Sequence, residues 1–310
     1  MAVLKMQRIS ICALKKDRKA ILEKLQSLGV LEVAPVIDGE DEYFRKMDTA
    51  GQRSGLERAA ASADQALEIL ERYVPEEKSM FAALEGKFLI EPVKEQQVRE
   101  KRRELLKTAK EVYDLDREHA EQLAAVIRMR NSIEGLTPWL GLGVPLKPSE
   151  TKRAVMFPGT MPGGTTLETV YEVLTEKAPD AECVDVQIIS SEQSMTYLAV
   201  ICLREDARDV EDALRSAGFA RPAQTWDQAP AEEKKELEQQ IEACREETAK
   251  IEKRLAELSE QREELKIVAD YYRVRADKYM VLGSLPQSER TFVLSGYIPQ
   301  CEASHVEKYL

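Results

Sequence analysis

The sequence is poor in the residues that build metal sites and redox centres. Its 310 residues include two histidines and five cysteines, and no two cysteines form a C-x-x-C motif. Neither His119 nor His305 has a histidine or cysteine partner at ligand spacing, which predicts that no metal is bound. The cysteines stand far apart and several lie in apolar or helical runs, which indicates buried, reduced thiols in a reducing compartment.

Long apolar runs are also missing. The sequence has no window of about 18 apolar residues, which predicts no membrane-spanning helix. The run ISICAL (9–14) is too short for a signal peptide, and two lysines follow it. The net charge is −11 and no clear basic block offsets it, so the composition argues against binding to nucleic acid.

No arrangement of catalytic residues or cofactor ligands is present either. Gly159 and Gly164 have the spacing of a phosphate-binding P-loop, but Thr165 occupies the position of its lysine. Without that cation a nucleotide phosphate loses its main side-chain partner, so we interpret the stretch as a tight strand-to-helix turn. The carboxylates of the helical segments alternate with lysine and arginine, as on a solvated helix face. We therefore predict that the chain is not an enzyme and binds no cofactor.

Charge is what the sequence does have. Charged residues make up 33% of the chain and aromatic residues 6%, while 43% of the residues are hydrophobic. This balance is too charged for one compact domain and too apolar for a disordered chain. It suits long solvated helices that carry small globular units, and the length allows two such units.

Three segments show apolar residues at helical spacing. One stripe runs through 54–74, a second through 93–134, and a third, from 231 to about 282, carries a heptad seam that Thr248 and Arg262 interrupt. Because a globular insert separates the second and third segments, we predict an antiparallel coiled coil, with local flexing at the two interruptions. The predicted seam positions are Leu56, Ala60, Ala63, Leu67 and Leu70 in the first segment, Leu105, Ala109, Val112, His119, Leu123, Val126 and Ile133 in the second, and Leu237, Ile241, Cys244, Thr248, Ile251, Leu255, Leu258, Arg262, Leu265, Ala269 and Tyr272 in the third.

The insert between the long helical segments predicts a fold of its own. Its order of elements is β-α-β-β-α-β, which is that of a ferredoxin-like lobe. The predicted strands are 152–158, 183–190, 195–203 and a short 219–221, and the predicted helices are 165–177 and 206–217.

The two ends of the chain predict a second lobe of the same kind. Residues 3–36 follow a β-α-β pattern, and TFVLSGYIPQ (291–300) is a strand that precedes the start of a helix. A lone strand cannot satisfy its own backbone groups, so this strand needs a partner. We predict that it pairs in parallel with residues 5–12, which makes a split ferredoxin-like lobe whose fourth strand is missing. On this interpretation the chain is a fragment of a longer protein.

These assignments give an α+β fold of two ferredoxin-like lobes joined by a long antiparallel coiled coil. Trp139 and Trp226 flank the inserted lobe at its junctions with the helices. We interpret them as packing the lobe onto the end of the coiled coil, and contact with a partner is the alternative. The predicted divisions are a proximal lobe (1–50 and 283–310), coiled-coil helices (51–137 and 226–282) and a distal lobe (138–225).

Three stretches together resemble subunit I (subunit a) of V-type and A-type rotary ATPases. They are MAVLKMQRISICALKKDRKAILEKLQSLGVLEV (1–33), LTPWLGLGVPLKPSETKRAVMFPGTMP (136–162) and FVLSGYIPQCEASHVEKYL (292–310). The individual motifs are loose, and their order and spacing carry the resemblance. Tyr297 stands where the family usually has tryptophan, which keeps an aromatic ring with a polar tip.

The resemblance implies a dumbbell on the cytoplasmic face of a membrane. It implies a stator component whose two lobes each bind one peripheral stalk of subunits E and G. The stator resists rotor torque during ion-coupled ATP hydrolysis or synthesis. A C-terminal membrane domain with the ion half-channels for proton or sodium transport would be a further partner, and it is absent from these 310 residues.

Two other classes stay open on the residues alone. A globular hinge within a coiled coil is also found in ATPases of the chromosome type, although the P-loop lysine is missing here. Ferredoxin-like lobes also serve as regulatory modules that bind small molecules.

Overall fold

The computed structural model describes residues 4–34, 44–76 and 90–309. It is an α+β structure with two antiparallel sheets and long helices, and it divides into two compact units. The first unit takes the described residues of 1–116 and 254–310, and the second takes 117–253. In these ranges the strands are β1 (Met6–Leu14), β2 (Glu32–Val33), β3 (Ser149–Glu150), β4 (Ala154–Pro162), β5 (Val184–Ser191), β6 (Met195–Leu203) and β7 (Thr291–Pro299). The helices are α1 (Arg18–Leu28), α2 (Ala50–Tyr73), α3 (Pro92–Leu136), α4 (Leu167–Lys177), α5 (Ala207–Ser216), α6 (Pro230–Leu258), α7 (Arg262–Ser284) and α8 (Ala303–Tyr309).

The sheet of the first unit joins the two ends of the chain. Its order is β1-β7-β2, so the predicted partner of TFVLSGYIPQ is confirmed. The predicted parallel direction is wrong, because β7 runs antiparallel to both neighbours. Thr291 lies opposite Leu14, at the end of β1, so the chain enters β7 there and runs back along β1. Residues 35 and 36 of the second predicted strand lie outside the described residues.

One face of this sheet is covered by helices and forms the core of the unit. The side chains of Phe292, Leu294 and Ile298 point to that face and are almost fully buried. Leu22 and Leu25 of α1 and Val306 of α8 pack against them. Gly296 permits the close approach of β2, because a Cβ there would lie 2.4 Å from the carbonyl oxygen of Glu32.

Helices α2 and α7 pack closely because small side chains line their contact. Ala60, Ala63 and Ala66 of α2 are buried. The hydroxyl of Thr49, before α2, donates to the carbonyl of Tyr279 at 2.9 Å, and the end of α2 meets the start of α7, so the two helices run antiparallel.

Helix α3 runs antiparallel to α6 and α7. Within the first unit, Glu111 pairs with Arg254 at 2.9 Å. Within the second, Nε2 of His119 lies 3.1 Å from a carboxylate oxygen of Glu252. Leu123 was predicted in the seam, but it is 46% exposed. Val112 and Val126, seam positions on either side of it, are buried.

The third predicted helix is interrupted where the sequence places Arg262 in its seam. A 3₁₀ turn at Ser259–Gln261 separates α6 from α7. Seam residues on both sides are buried, namely Ile241, Ile251, Leu255, Leu258, Leu265 and Ala269. Arg262 is buried too, and its guanidinium donates to the carbonyls of Leu70 and Val74 at the end of α2. The helix is thus interrupted at the predicted position, and local flexing there stays a prediction.

The sheet of the second unit has the order β3-β4-β6-β5, with all neighbours antiparallel. The strand at 195–203 is confirmed. The predicted first strand ends too early, since β4 continues to Pro162. The predicted fourth strand at 219–221 is reduced to a single bridge between Ala220 and Thr160, because β3 occupies the other half of the same edge.

Gly159 lies inside β4 and is no part of a phosphate-binding turn. A Cβ on Gly159 would lie 1.9 Å from the ring of Phe219, so the glycine makes room for that ring. The turn itself comes later, with Gly164 at φ 81° and the hydroxyl of Thr166 accepting from the backbone N–H of Thr169. The predicted strand-to-helix turn thus lies at 163–166.

Candidate interaction surfaces

The two tryptophans lie in one cluster within the second unit. Trp139 is 3% exposed and contacts the ring of Tyr197 edge to face, with ring centres 5.2 Å apart. Trp226 is half-buried against the same cluster, and its backbone N–H donates to the carbonyl of Leu146 at 3.1 Å. Leu136 at the end of α3 and Leu237 of α6 complete the contact between the helix ends and the sheet.

The two tryptophans differ in how much surface they could offer to a partner protein. Trp139 offers no surface to a partner, because its side chain is enclosed. Trp226 keeps part of its surface accessible, so a partner contact at Trp226 stays a prediction. The cluster also covers the face of the second sheet that α4 and α5 leave free, and their core lies on the other face.

The sheet of the first unit leaves one edge open. Strand β1 is at the margin of the sheet, and Arg8, Ser10 and Cys12 on it are exposed. Within residues 4–34, 44–76 and 90–309, no strand pairs with the outer side of β1. Unpaired strand edges are the usual template for adding a further strand.

An apolar cleft also lies in the first unit, between α1, β2 and α7. Its volume is about 270 Å³, and Lys278 beside it pairs with Glu23 at 2.8 Å. The apolar lining residues are Leu22, Leu25, Leu31, Val33, Val281 and Leu294. The volume is slightly below the roughly 300 Å³ at which small-molecule sites begin.

The titratable groups of the described residues build no metal centre. Within 4–34, 44–76 and 90–309, no three histidine, cysteine or acidic side chains are grouped as metal ligands. His305 lies 3.3 Å from the carboxylate of Glu302 on the surface.

The expectation of buried thiols is wrong for three of the five cysteines: Cys12, Cys183 and Cys301 are exposed, Cys244 is half-buried and Cys202 is buried. Burial raises the pKa of the Cys202 thiol.

An ion cluster connects the segment after α5 to that helix. Both nitrogens of the Arg221 fork donate to the carboxylate of Glu211 at 2.7 Å, and Arg215 adds a contact at 2.8 Å. The Glu211 side chain is 12% exposed. Arg221 follows the bridge residue Ala220, so the cluster holds the edge of the second sheet. The hydrogen bonds from Arg221 hold the pKa of Glu211 below its usual range.

We expect this cluster to stabilise the second unit only above acidic pH. A carboxyl group with a lowered folded pKa contributes fully above its unfolded value, about 4.5, and loses the contribution as the pH falls through the folded value. The difference in thermal unfolding between the wild type and Glu211→Gln should therefore be largest at neutral pH and shrink as the pH falls below about 4.5. Glu150→Gln is the control, because the Glu150–Arg204 pair is more than half exposed and should contribute little. A difference between wild type and Glu211→Gln that persists unchanged at pH 3 would contradict this origin.

No protein-family model and no curated protein matches the sequence significantly. Among solved structures, the chain is similar to the crystal structure of the cytoplasmic N-terminal domain of subunit I, homolog of subunit a, of V-ATPase. The match covers 97% of this chain and 96% of that chain, with 18% sequence identity and a TM-score of 0.49. At this identity and TM-score no functional argument rests on the similarity. In the described part of the chain, no helix combines the length and apolarity needed to cross a membrane.

Proposed function

We propose that the chain is the cytoplasmic part of subunit I (subunit a) of a V-type or A-type rotary ATPase and acts there as a stator component. The observation that carries the proposal is its nested order of elements. The first sheet is complete only when β7 pairs with β1. The long helices and the whole second α/β unit lie between these two strands in the sequence. This is the order that the resembling stretches at 1–33, 136–162 and 292–310 lead one to expect.

The helical elements suit a protein that bears load. Helix α3 runs for 45 residues without a break, which corresponds to roughly 68 Å of helix. Its contacts with α6 combine buried apolar residues with ion pairs such as Glu111–Arg254. A force applied to such helices acts on packed side chains as well as on helical hydrogen bonds.

In this role the chain is non-catalytic and located at the cytoplasmic face of the membrane. Each α/β unit anchors one peripheral stalk of subunits E and G, and the membrane domain of subunit I is its other partner. The stator resists rotor torque while the complex hydrolyses or synthesises ATP and translocates ions. The P-loop lysine position is Thr165, which agrees with a part that does not itself handle nucleotide.

We expect the whole chain to bind two E–G heterodimers. The measurement is native mass spectrometry of the 310-residue chain titrated with purified E–G heterodimer, with isothermal titration calorimetry for the affinities. Two bound stalks per chain are expected, because the proposal gives each α/β unit one docking site. A heterodimer whose subunits are truncated at the end that meets the stator serves as the control. Absence of any complex at high micromolar concentrations would refute the stator role.

The two alternative classes differ in what the structure offers them. The chromosome-type ATPase loses support, since Gly159 is a strand residue packed against Phe219. The regulatory module keeps one favourable observation, the apolar cleft of about 270 Å³ between α1 and α7. Thermal-shift measurements against metabolites test it, and stabilisation abolished by Leu25→Lys in the cleft would favour it over the stator role.

A further inference from the structure

We propose that the open edge of β1 is a docking site for an extended, acidic segment of a partner protein, which adds to the sheet as a further strand. Addition of a strand to a sheet edge draws its affinity from backbone hydrogen bonds and its selectivity from flanking side chains. The inference is independent of the proposed function, because it rests on the backbone and charges of one strand.

The pairing with β7 determines which backbone groups face the open edge. The carbonyl of Lys5 accepts from the N–H of Gln300 at 2.9 Å, and the N–H of Lys15 donates to the carbonyl of Arg290 at 2.8 Å. Hydrogen-bonded and non-hydrogen-bonded pairs alternate along an antiparallel ladder, so the odd-numbered residues of β1 bond to β7. The N–H and C=O groups of the even-numbered residues therefore point outward, and Met6 opposite Pro299 fits this pattern, since proline has no N–H to give.

The outward groups are available for pairing. Arg8, Ser10 and Cys12 are exposed, and no described residue bonds to their backbone groups. The middle of the strand, Ile9–Ala13, has no proline, no charge and no irregularity in its register with β7. A regular, uncharged strand of this kind lacks the devices that normally prevent edge pairing.

The outer edge of the second sheet, in contrast, carries features that hinder the pairing of a further strand. Its outer strand, β5, has a register shift between Ile188 and Ser190. The Ser190 hydroxyl donates to the carbonyl of Pro138 at 2.8 Å, which ties that end of the strand to the end of α3. Bulges and covering segments of this kind prevent addition of a strand.

Charge decides which strand the β1 edge accepts. Lys5 and Arg8 lie at one end, and Lys15 and Lys16 lie at the other. In the described part of the chain none of these four forms an ion pair, and Asp17 is the one carboxylate between residues 4 and 17. A segment with acidic residues at both ends and β-branched residues between them complements this edge.

The same charges disfavour a second copy of this chain as the occupant. Two β1 strands paired edge to edge would bring eight cations to one short interface, since each contributes four. An acidic partner segment meets no such repulsion, and the overall charge of −11 makes a local cluster of cations a selective feature.

The test measures binding of the acetylated and amidated peptide EETVTVTEE to the whole chain by fluorescence anisotropy. We expect micromolar affinity for this peptide and at least about tenfold weaker binding for KKTVTVTKK. Ser10→Pro should also weaken binding of the acidic peptide about tenfold, because it removes an outward N–H and leaves the ladder to β7 intact. Ser10→Ala is the matched control, since it keeps the N–H and loses only the contact of the two hydroxyls of Ser10 and Ser295.

Two further arms keep the test decisive if Ser10→Pro fails to fold. Two forms of the acidic peptide are made, one N-methylated at its threonines and one at its valines. Each form lacks the N–H groups along one edge of the peptide strand, so the form that lacks those facing β1 must lose binding. Equal binding of both forms, or of KKTVTVTKK, would overturn strand addition. A dimer in sedimentation that Lys5→Glu strengthens, together with no peptide binding, would assign the edge to a second copy instead.

Discussion

Replacing Arg262 with alanine is expected to lower the free energy of unfolding of the first unit by about 3 kcal/mol. The buried guanidinium donates to the carbonyls of Leu70 at 3.0 Å and of Val74, which lie in the last turn of α2 and just after it. Helix ends carry carbonyl groups without partners inside the helix. The Leu70 carbonyl keeps the N–H of Val74 as a donor at 2.8 Å, whereas the Val74 carbonyl loses the donor that Arg262 supplies. An acceptor left without its donor costs about 1–3 kcal/mol, and the truncation also leaves a cavity.

The charge of Arg262 adds to the effect of its hydrogen bonds. A cation at a helix C-terminus is stabilised by the helix dipole, and Glu76 lies 3.4 Å from the guanidinium. Lys266 and then Arg262 hold the pKa of Glu76 below its usual range. Arg262 therefore connects the end of α2 to the start of α7, where the 3₁₀ turn interrupts the helix.

Urea denaturation with matched variants tests this role. Arg262→Lys should recover part of the loss, because it keeps the charge and a donor for the carbonyls but lacks the second terminal nitrogen, Nη1, which lies 3.4 Å from Glu76. Thr248→Ala is the control at the other polar seam position, where the hydroxyl donates only to the carbonyl of Cys244 in the same helix. If Arg262→Ala is no more destabilising than Thr248→Ala, the capping role is wrong.

The partner of β7 was predictable from sequence, but its direction was not. Strong strand residues at 291–298 required a mate, and the one strand-helix-strand pattern near the other end supplied it. The direction depends on the side from which the chain enters the sheet. That side is determined by where α7 ends relative to β1, and Arg290 beside Lys15 shows it only in three dimensions.

The helical seam was predictable where apolar residues contact one neighbour. Ile241, Ile251 and Leu255 are buried as their spacing requires. The pattern does not explain why Arg262 can be buried, since a heptad repeat carries no information about a helix end supplied by residues nearly two hundred positions earlier. Tertiary hydrogen bonds override the local pattern at such a position.

The candidate docking edge shows a similar limit. Lys5, Arg8, Lys15 and Lys16 do not form a block in the sequence, because an uncharged strand separates the two pairs. Their relation becomes visible only when β1 is known to be the outer strand. Alternation of Ile9 and Ile11 with a polar residue is typical of a strand with one buried face, but it carries no information about which edge of the sheet stays open.

Replacing Gly159 with alanine is expected to cost the second unit about 3 kcal/mol or more. The added methyl would overlap the Phe219 ring, which packs edge to face on Phe157 with ring centres 5.8 Å apart. Phe157 and Phe219 are both buried in the core that α4 and α5 form with the sheet, so the ring has little room to move. Overpacking of a closed core usually costs about 1–3 kcal/mol, and a rigid ring gives way less easily than a flexible side chain.

Chemical denaturation of three variants separates this packing effect from any role in phosphate binding. Gly143→Ala is the matched control, because nothing lies within 4 Å of the position of its added methyl, and it should be nearly neutral. Adding Phe219→Leu to Gly159→Ala should recover part of the stability, since the smaller side chain frees the space that the methyl needs. A stable Gly159→Ala variant would contradict the packing account. If that variant also lost a nucleotide affinity that the wild type possessed, the glycine would belong to a phosphate site after all, and the ATPase alternative would return.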